Sequence, residues 1–455
     1  MIRISDKNEG TTAVAEPGFR RPVKSVPRDP TGAAFFWLSA FFVVYCARPE
    51  DWIPGLTYVP LAKISALFAI IGVLTTIGRT RRTFKDLPVE AKYLLAMILL
   101  LLAFSFLSPV WRGGALLKSF EFGKVYFVFV LTFLLVTTVA RLRLLILIQA
   151  SSVALVSLIT VLKGSNHPRL EGALNGIYSN PNDLAFAIVL TFPLILLLLL
   201  TSKSMLLKGV WAMSMLMMLY TLLRTASRAG FIDLVISGTV ALWLFGVKGK
   251  RPQLILVTVV AGVLFLAVAG KHLRERFEAV EGSVENSEDQ KAYGSFEERK
   301  QLMIIAARGM LHYPLTGVGT GDFPSYSGKW KAVHMTYLQI GCEGGMVVLL
   351  LYLLFFYSGF RNLRILKSKR DQYPEAGLFA WALYCCLVGF VVGACFAPEA
   401  YQFFPYFTVA YTSALLASVR EQEGEVAAKA PSFGMARVRN VYGKYREPRT
   451  IEPVR

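Results

Sequence analysis

The stretch Leu184-Ala-Phe-Ala-Ile-Val-Leu-Thr-Phe-Pro-Leu-Ile-Leu-Leu-Leu-Leu-Leu200 carries no charged side chain and one hydroxyl. A run this long and apolar reads as a membrane-spanning helix, because only a helix satisfies its own backbone polar groups where water is absent. Comparable runs lie on both sides of it, and the composition agrees, with 55% hydrophobic and 17% charged residues and a mean hydropathy of +0.50. At ~17–25 apolar residues per crossing, about twelve helices are expected. They centre near Leu38, Leu67, Ile98, Val130, Val153, Pro193, Met215, Ser237, Phe265, Leu349, Leu387 and Val409. The fold class is therefore all-α, a polytopic membrane protein.

One polar stretch interrupts this series. Residues 271–333 form a long loop between the ninth and tenth helices and end at His334, where the next apolar run begins. Within it, Ser295 followed by Glu298 has the capping-box pattern, and Leu302, Ile305, Ala306 and Met310 recur at helical spacing. A short amphipathic helix along the membrane surface, ending at Tyr313-Pro314, is expected. Gly317-Val-Gly319-Thr-Gly321 superficially matches a dinucleotide fingerprint, but no strand precedes it and no helix opens from it, so it reads as a tight turn.

Net charge is +19. A nucleic-acid binder would gather such charge on a polar domain, whereas here it sits in short connections between apolar runs, and no nucleic-acid partner is expected. The connections bearing Arg79, Arg81, Arg82 and Lys85, then Arg141 and Arg143, Lys203 and Lys208, Lys248, Lys250 and Arg251, and Arg361 through Arg370 alternate onto one side, which the positive-inside rule makes cytoplasmic. Both termini share that side. The long loop balances nine basic against nine acidic residues and is placed outside. The chain then divides into an N-terminal tail (1–30), helices one to nine (31–270), the outer loop (271–333), helices ten to twelve (334–419) and a tail (420–455) expected to be disordered. Arg20, Arg21, Lys24 and Arg28 before the first apolar run resemble a cytoplasmic tail more than a cleavable signal. Cys46, Cys342, Cys385, Cys386 and Cys395 lack metal or disulfide spacing and read as packing residues.

Several chemistries find no motif: there is no P-loop, no HExxH and no Asp-x-Asp pair, so neither metal nor cofactor is expected. Four histidines, His167, His272, His312 and His334, are too scattered for a metal cage. His334, at the outer mouth of a helix, is either a general base for an arriving hydroxyl or an interfacial anchor. Arg224 and Arg228 interrupt an apolar region and, four apart on one helix, would share a face. Arginine there suits a lipid-linked phosphate or diphosphate through its planar fork of donors, or else snorkels to headgroups. Arg169, Arg299 and Arg308 lie on the same side. Asn180-Pro181-Asn182-Asp183 opens the sixth apolar segment and reads as a helix cap, with sugar binding by Asn180 and Asn182 as the other reading.

Together these residues resemble the O-antigen ligase family, which includes O-antigen polymerases and bacterial protein O-oligosaccharyltransferases. The resemblance is carried by Arg169-Leu-Glu-Gly172, Ser179-Asn-Pro-Asn182, Ser227-Arg-Ala-Gly230, Arg299, Pro314-Leu-Thr-Gly317-Val-Gly319, His334, Tyr337-Leu338 and Glu343-Gly344-Gly345, over residues 142–354. Met335 departs from it, since similar sequences often have Asn there. The resemblance implies an inverting membrane glycosyltransferase of the bacterial inner membrane that moves a glycan from an undecaprenyl-diphosphate carrier to an acceptor hydroxyl without metal or ATP. Arg228 and Arg299 would bind the diphosphate, with Arg224 and Arg169 nearby, and His334 would deprotonate the acceptor. Lipid A-core is the favoured acceptor, on the ground of one dominant outer loop; a second carrier-linked glycan or a protein hydroxyl are the alternatives. A transporter would show internal repeats, and no second copy of the Arg228 or His334 region is found.

Overall fold

The computed structural model describes residues 29–76, 78–164, 170, 176–178, 180–256, 258–260 and 287–429. Among these residues every long regular element is helical, and no strand occurs. The helices are α1 (Gly32–Ala47), α2 (Leu61–Thr76), α3 (Val89–Ser105), α4 (Arg112–Leu135), α5 (Val139–Lys163), α6 (Pro181–Thr201), α7 (Met205–Thr225), α8 (Arg228–Ala241), α9 (Ser287–His312), α10 (Phe323–Ser327), α11 (Thr336–Ser368), α12 (Pro374–Gly393) and α13 (Phe403–Lys429). A wider π turn, Leu242–Lys248, continues α8. Six helices among the described residues are long and apolar enough to cross a membrane: α5, α6, α7, α8 with its continuation, α11 and α12. The apolar α1 and α2 are shorter, at 16 residues each. Each expected helix centre falls inside one of these elements except Phe265, which lies outside the described residues.

Burial orders the bundle. In α6, 78% of the most apolar window is enclosed by protein, against 22% in α7, so α6 is a central helix and α7 an outer one. Phe186, Ile188, Leu190, Leu194 and Leu197 of α6 are buried around its whole circumference, as expected of a helix apolar on every side. Contacts with α5, α7, α8 and α12 surround it.

Loops sort onto two ends of the bundle. At one end the buried Arg82 donates to Glu421 at 2.5 Å, to the carbonyls of Phe133, Val136 and Ala414, and to Ser418 Oγ. Arg81 pairs with Glu425, Lys369 with Glu423, Arg141 with Asp29 and Arg143 with Glu375 at that same end. At the other end Ser108 Oγ donates to the Val318 carbonyl at 2.8 Å, Ser119 donates to Thr320 at 2.8 Å, and Tyr178 donates to the Cys46 carbonyl at 2.7 Å. The described part of the long loop therefore lies opposite the arginine-rich connections.

Two boundaries differ from expectation. The last helix continues past residue 419 to Lys429, because Glu421, Glu423 and Glu425 find cationic partners in neighbouring loops. The loop helix α9 starts at Ser287, so Ser295 lies within it and is not its cap; nothing in Glu288-Asp-Gln-Lys-Ala292 breaks a helix. Its expected apolar face is present, with Leu302 and Ala306 buried against Val318, Phe323, Val333 and Cys342. Residues 271–286 lie outside the described residues.

Candidate functional site

The site is assembled from three helix starts. At the first, Asn180 Oδ1 accepts the Asn182 backbone N–H at 2.9 Å and Pro181 occupies the first helical position, so Asn180 is an N-cap. Asn182 is not consumed by this cap and lines a small cavity with Phe186, Ser227, Asp233, Gly393 and Ala397.

At the second start, Ser227 Oγ caps α8 by accepting the Gly230 N–H at 3.2 Å. Ala226, just before it, takes a left-handed conformation at φ 50° and ends α7. Arg224 and Arg228 consequently belong to different helices and do not share one face, contrary to the four-residue spacing argument. The reason is local: Ser227 is a better cap than helix interior, and its bond to Gly230 starts a new helix. Gly230 admits α6, since a Cβ there would lie 2.8 Å from that of Ala185.

At the third start, Thr336 is a junction. Its N–H donates to the Ala394 carbonyl at 2.8 Å, its hydroxyl donates to the Ala397 carbonyl at 2.7 Å, and the same hydroxyl accepts the Glu399 N–H at 3.0 Å. Ala397 lines the cavity shared with Asn182 and Ser227, so residues 394–399 join all three starts. Glu399 in turn meets Asp183 of α6 carboxyl to carboxyl. Helix starts present free N–H groups and the positive end of the helix dipole, a field suited to anions.

His334 sits two residues before Thr336 and is half-buried. Lys331 donates to Glu298 at 2.6 Å and Lys329 to Gln301 at 2.8 Å, which fastens this segment to α9. Burial pushes the imidazole down to about 4, and the Arg299 guanidinium adds to the shift; Glu298 opposes it and Lys331 reinforces it. At neutral pH the ring is uncharged and able to accept a proton. Met335, the position that departs from the family pattern, packs against the apolar cluster under α9.

Beneath His334, α11 breaks at Gly345, whose φ of 81° is outside the helical range. The Gly317–Gly321 turn fills the break. Val318 N–H donates to the Cys342 carbonyl at 2.8 Å, Gly319 N–H to the Glu343 carbonyl at 3.1 Å, and Met346 N–H to the Pro314 carbonyl at 2.7 Å. The loop supplies the partners that the interrupted helix lacks, which membrane-depth backbone requires. Gly317 cannot carry a side chain here: its Cβ would lie 2.4 Å from the Glu343 backbone. The expected tight turn is thus present, docked into a helix.

The expected site residues are brought together unequally. Arg299 and His334 are neighbours, and Arg228 is the first residue of α8. Arg224, at the end of α7, donates to Tyr220 Oη at 3.1 Å, and its carbonyl accepts the Leu170 N–H at 3.0 Å. Arg169 lies outside the described residues. Tyr220 closes one end of an apolar groove between α5 and α7, lined also by Leu155, Leu158, Val210, Trp211 and Leu216. Asp233, Thr336 and Glu399 were not singled out from sequence, although an isolated acid among apolar residues, as at Asp233 and Glu399, is itself a signal. Among the described residues no three His, Cys, Asp or Glu side chains gather as a metal site would need.

The fold and these helix starts define a multi-pass membrane protein with a polar site at one end of its bundle. Residues 213–353, from α7 into α11, match the family model described as O-antigen ligase. That match supports assignment of the chain to the O-antigen ligase family, whose members are membrane glycosyltransferase-like enzymes. Comparison with curated proteins gives no match.

Proposed function

We propose that the protein transfers a glycan from undecaprenyl diphosphate to an acceptor hydroxyl, with lipid A-core as the favoured acceptor. The observation that carries this reading is His334, half-buried just before the start of α11 and beside Arg299 of α9. In this reading the protein lies in the bacterial inner membrane with about twelve spans. Both termini face the cytoplasm and the 271–333 loop faces the periplasm, as the charges of the opposite bundle end favour.

The acceptor hydroxyl hydrogen-bonds to His334, which takes its proton as the oxygen attacks the anomeric carbon. The glycosidic bond to the diphosphate breaks on the opposite face, so configuration inverts. Negative charge grows on the leaving diphosphate, and Arg228 and Arg299 stabilise it together with the helix starts, at ~3–4 kcal/mol for each well-placed donor. Because the diphosphate ester already contains a good leaving group, the step calls for neither nucleotide nor metal. The isoprenoid tail would lie in the groove between α5 and α7, with Arg224 at its polar end, and Arg224 and Arg169 are further candidates for holding the diphosphate. Asn182, on the shared cavity, and Asn180 are the candidates for contact with sugar hydroxyls.

Purified protein in lipid, supplied with a carrier-linked glycan and either lipid A-core, a second carrier-linked glycan or a Ser/Thr peptide, should form product in the presence of a chelator and without ATP. Product with the second or third acceptor would make it a polymerase or an oligosaccharyltransferase. No product with any of them would count against glycosyl transfer.

A further inference from the structure

Two carboxyl groups meet where the three helix starts join. Asp183 stands in the first turn of α6, and Glu399 is 2% exposed in the segment between α12 and α13. Asn182 and Ala397, close to them in the chain, line one cavity; Glu399 Oε1 is buried and meets no donor among the described residues, and the two side chains are in hydrogen-bonding contact. Two carboxylates cannot occupy such a contact, because each has only acceptor atoms and their charges repel; the contact requires one proton between them. Among the described residues, the titratable groups facing Glu399 are Asp183 from α6, Tyr45 from α1 and Tyr352 from α11, none of which is a cation. Burial and the neighbouring Asp183 hold Glu399 well above the ordinary carboxylate range.

The backbone of Glu399 extends this contact to the catalytic end. Its N–H donates to Thr336 Oγ1 at 3.0 Å, and Thr336 fixes the first turn of α11 through Ala394 and Ala397. We propose that Asp183 and Glu399 share a single proton, and that this bond is the positioning element that holds the start of α11, and with it His334, against the starts of α6 and α8. The inference rests on the glycosyl-transfer reading for its effect on rate, but not for the shared proton. When the pH rises far enough to remove that proton, the two carboxylates repel, Glu399 withdraws from Asp183, and the Thr336 junction loosens. Neither residue touches the reacting atoms.

The test compares the full chain in lipid nanodiscs with Asp183→Asn/Glu399→Gln, which keeps shape and a hydrogen bond but cannot titrate, and with Asp183→Ala, which removes the bond. Infrared spectra at neutral pH should contain a protonated-carboxyl band that the double variant lacks and that the wild type loses on alkalinisation. An identical band in both proteins overturns the shared proton. In the transfer assay the wild type should lose rate at alkaline pH while the double variant has no such limb, and Asp183→Ala should lower kcat by about a hundredfold, as expected for a displaced base, with little change in KM. An alkaline limb that persists in the double variant, or an unchanged kcat in Asp183→Ala, overturns the positioning role. The infrared arm needs neither donor nor acceptor, so an absence of transfer would refute the glycosyltransferase reading while the spectra still decide the proton.

Discussion

Lys331 donates to Glu298 at 2.6 Å, and this bond fastens the segment before α11 to the turn of α9 that includes Arg299. The loop helix and the membrane helix thereby bring a permanent cation and a titratable ring into one electrostatic neighbourhood. Arg299 opposes protonation of His334, so the same residue that would hold a diphosphate also keeps the base available.

His334→Ala should lower kcat by ~10²–10⁴-fold, the usual worth of a positioned general base. On the acid side, the wild-type rate should be level through neutral pH and fall as pH drops toward about 4, since protonation there removes the base. A pH–rate profile with its acid limb near the ordinary imidazole value of 6.5 would contradict the assignment.

Arg299→Ala should act twice. Loss of the fork on the diphosphate should cost ~10²–10³-fold in kcat. Removal of a like charge should also move the acid limb upward, toward 6.5, because protonated His334 is then less disfavoured. Arg299→Lys should keep the limb low but not restore the rate, as a point charge replaces bidentate geometry. The residual activity of both variants, measured across pH, separates the two effects.

Gly317→Ala and Gly345→Ala should both lower the thermal midpoint of the purified protein. Each position has φ above +60°, at 69° and 81°, and the added Cβ would approach backbone atoms to 2.4 Å. The conformational part alone is worth ~1–3 kcal/mol. Gly328→Ala, with φ 68° but open space around it, should cost less, and that ranking in a melting series is the measurement.

Arg82→Ala should destabilise the opposite end by ~3–5 kcal/mol, since truncating one partner of a buried pair leaves the rest unsatisfied. It strips donors from three carbonyls, Ser418 and Glu421 at once. Chemical denaturation in mild detergent would register the loss, with glycosyl transfer below the melting temperature unaffected.

Helix positions were legible because charge-free runs such as 184–200 leave little choice, and the cap at Asn180 was legible because cap chemistry is local. The division of Arg224 from Arg228 was written in Ser227, whose N-cap preference outweighs the four-residue spacing. The Asp183–Glu399 contact was not legible. It joins segments distant in sequence, and neither acid has a local motif; only the packing of α6, α11 and α12 brings them into contact. The break at Gly345 was equally hidden, because a glycine pair in an apolar run is compatible with an intact helix until something supplies the missing partners.

That substitution of partners changes what kind of segment the Gly317–Gly321 turn is. Connections usually tolerate insertions and deletions. Here two N–H groups must arrive opposite the Cys342 and Glu343 carbonyls while the Pro314 carbonyl meets Met346. One residue more or fewer between Pro314 and Val318 would put all three out of register, so this stretch should keep a fixed length while the residues around it drift in both length and sequence.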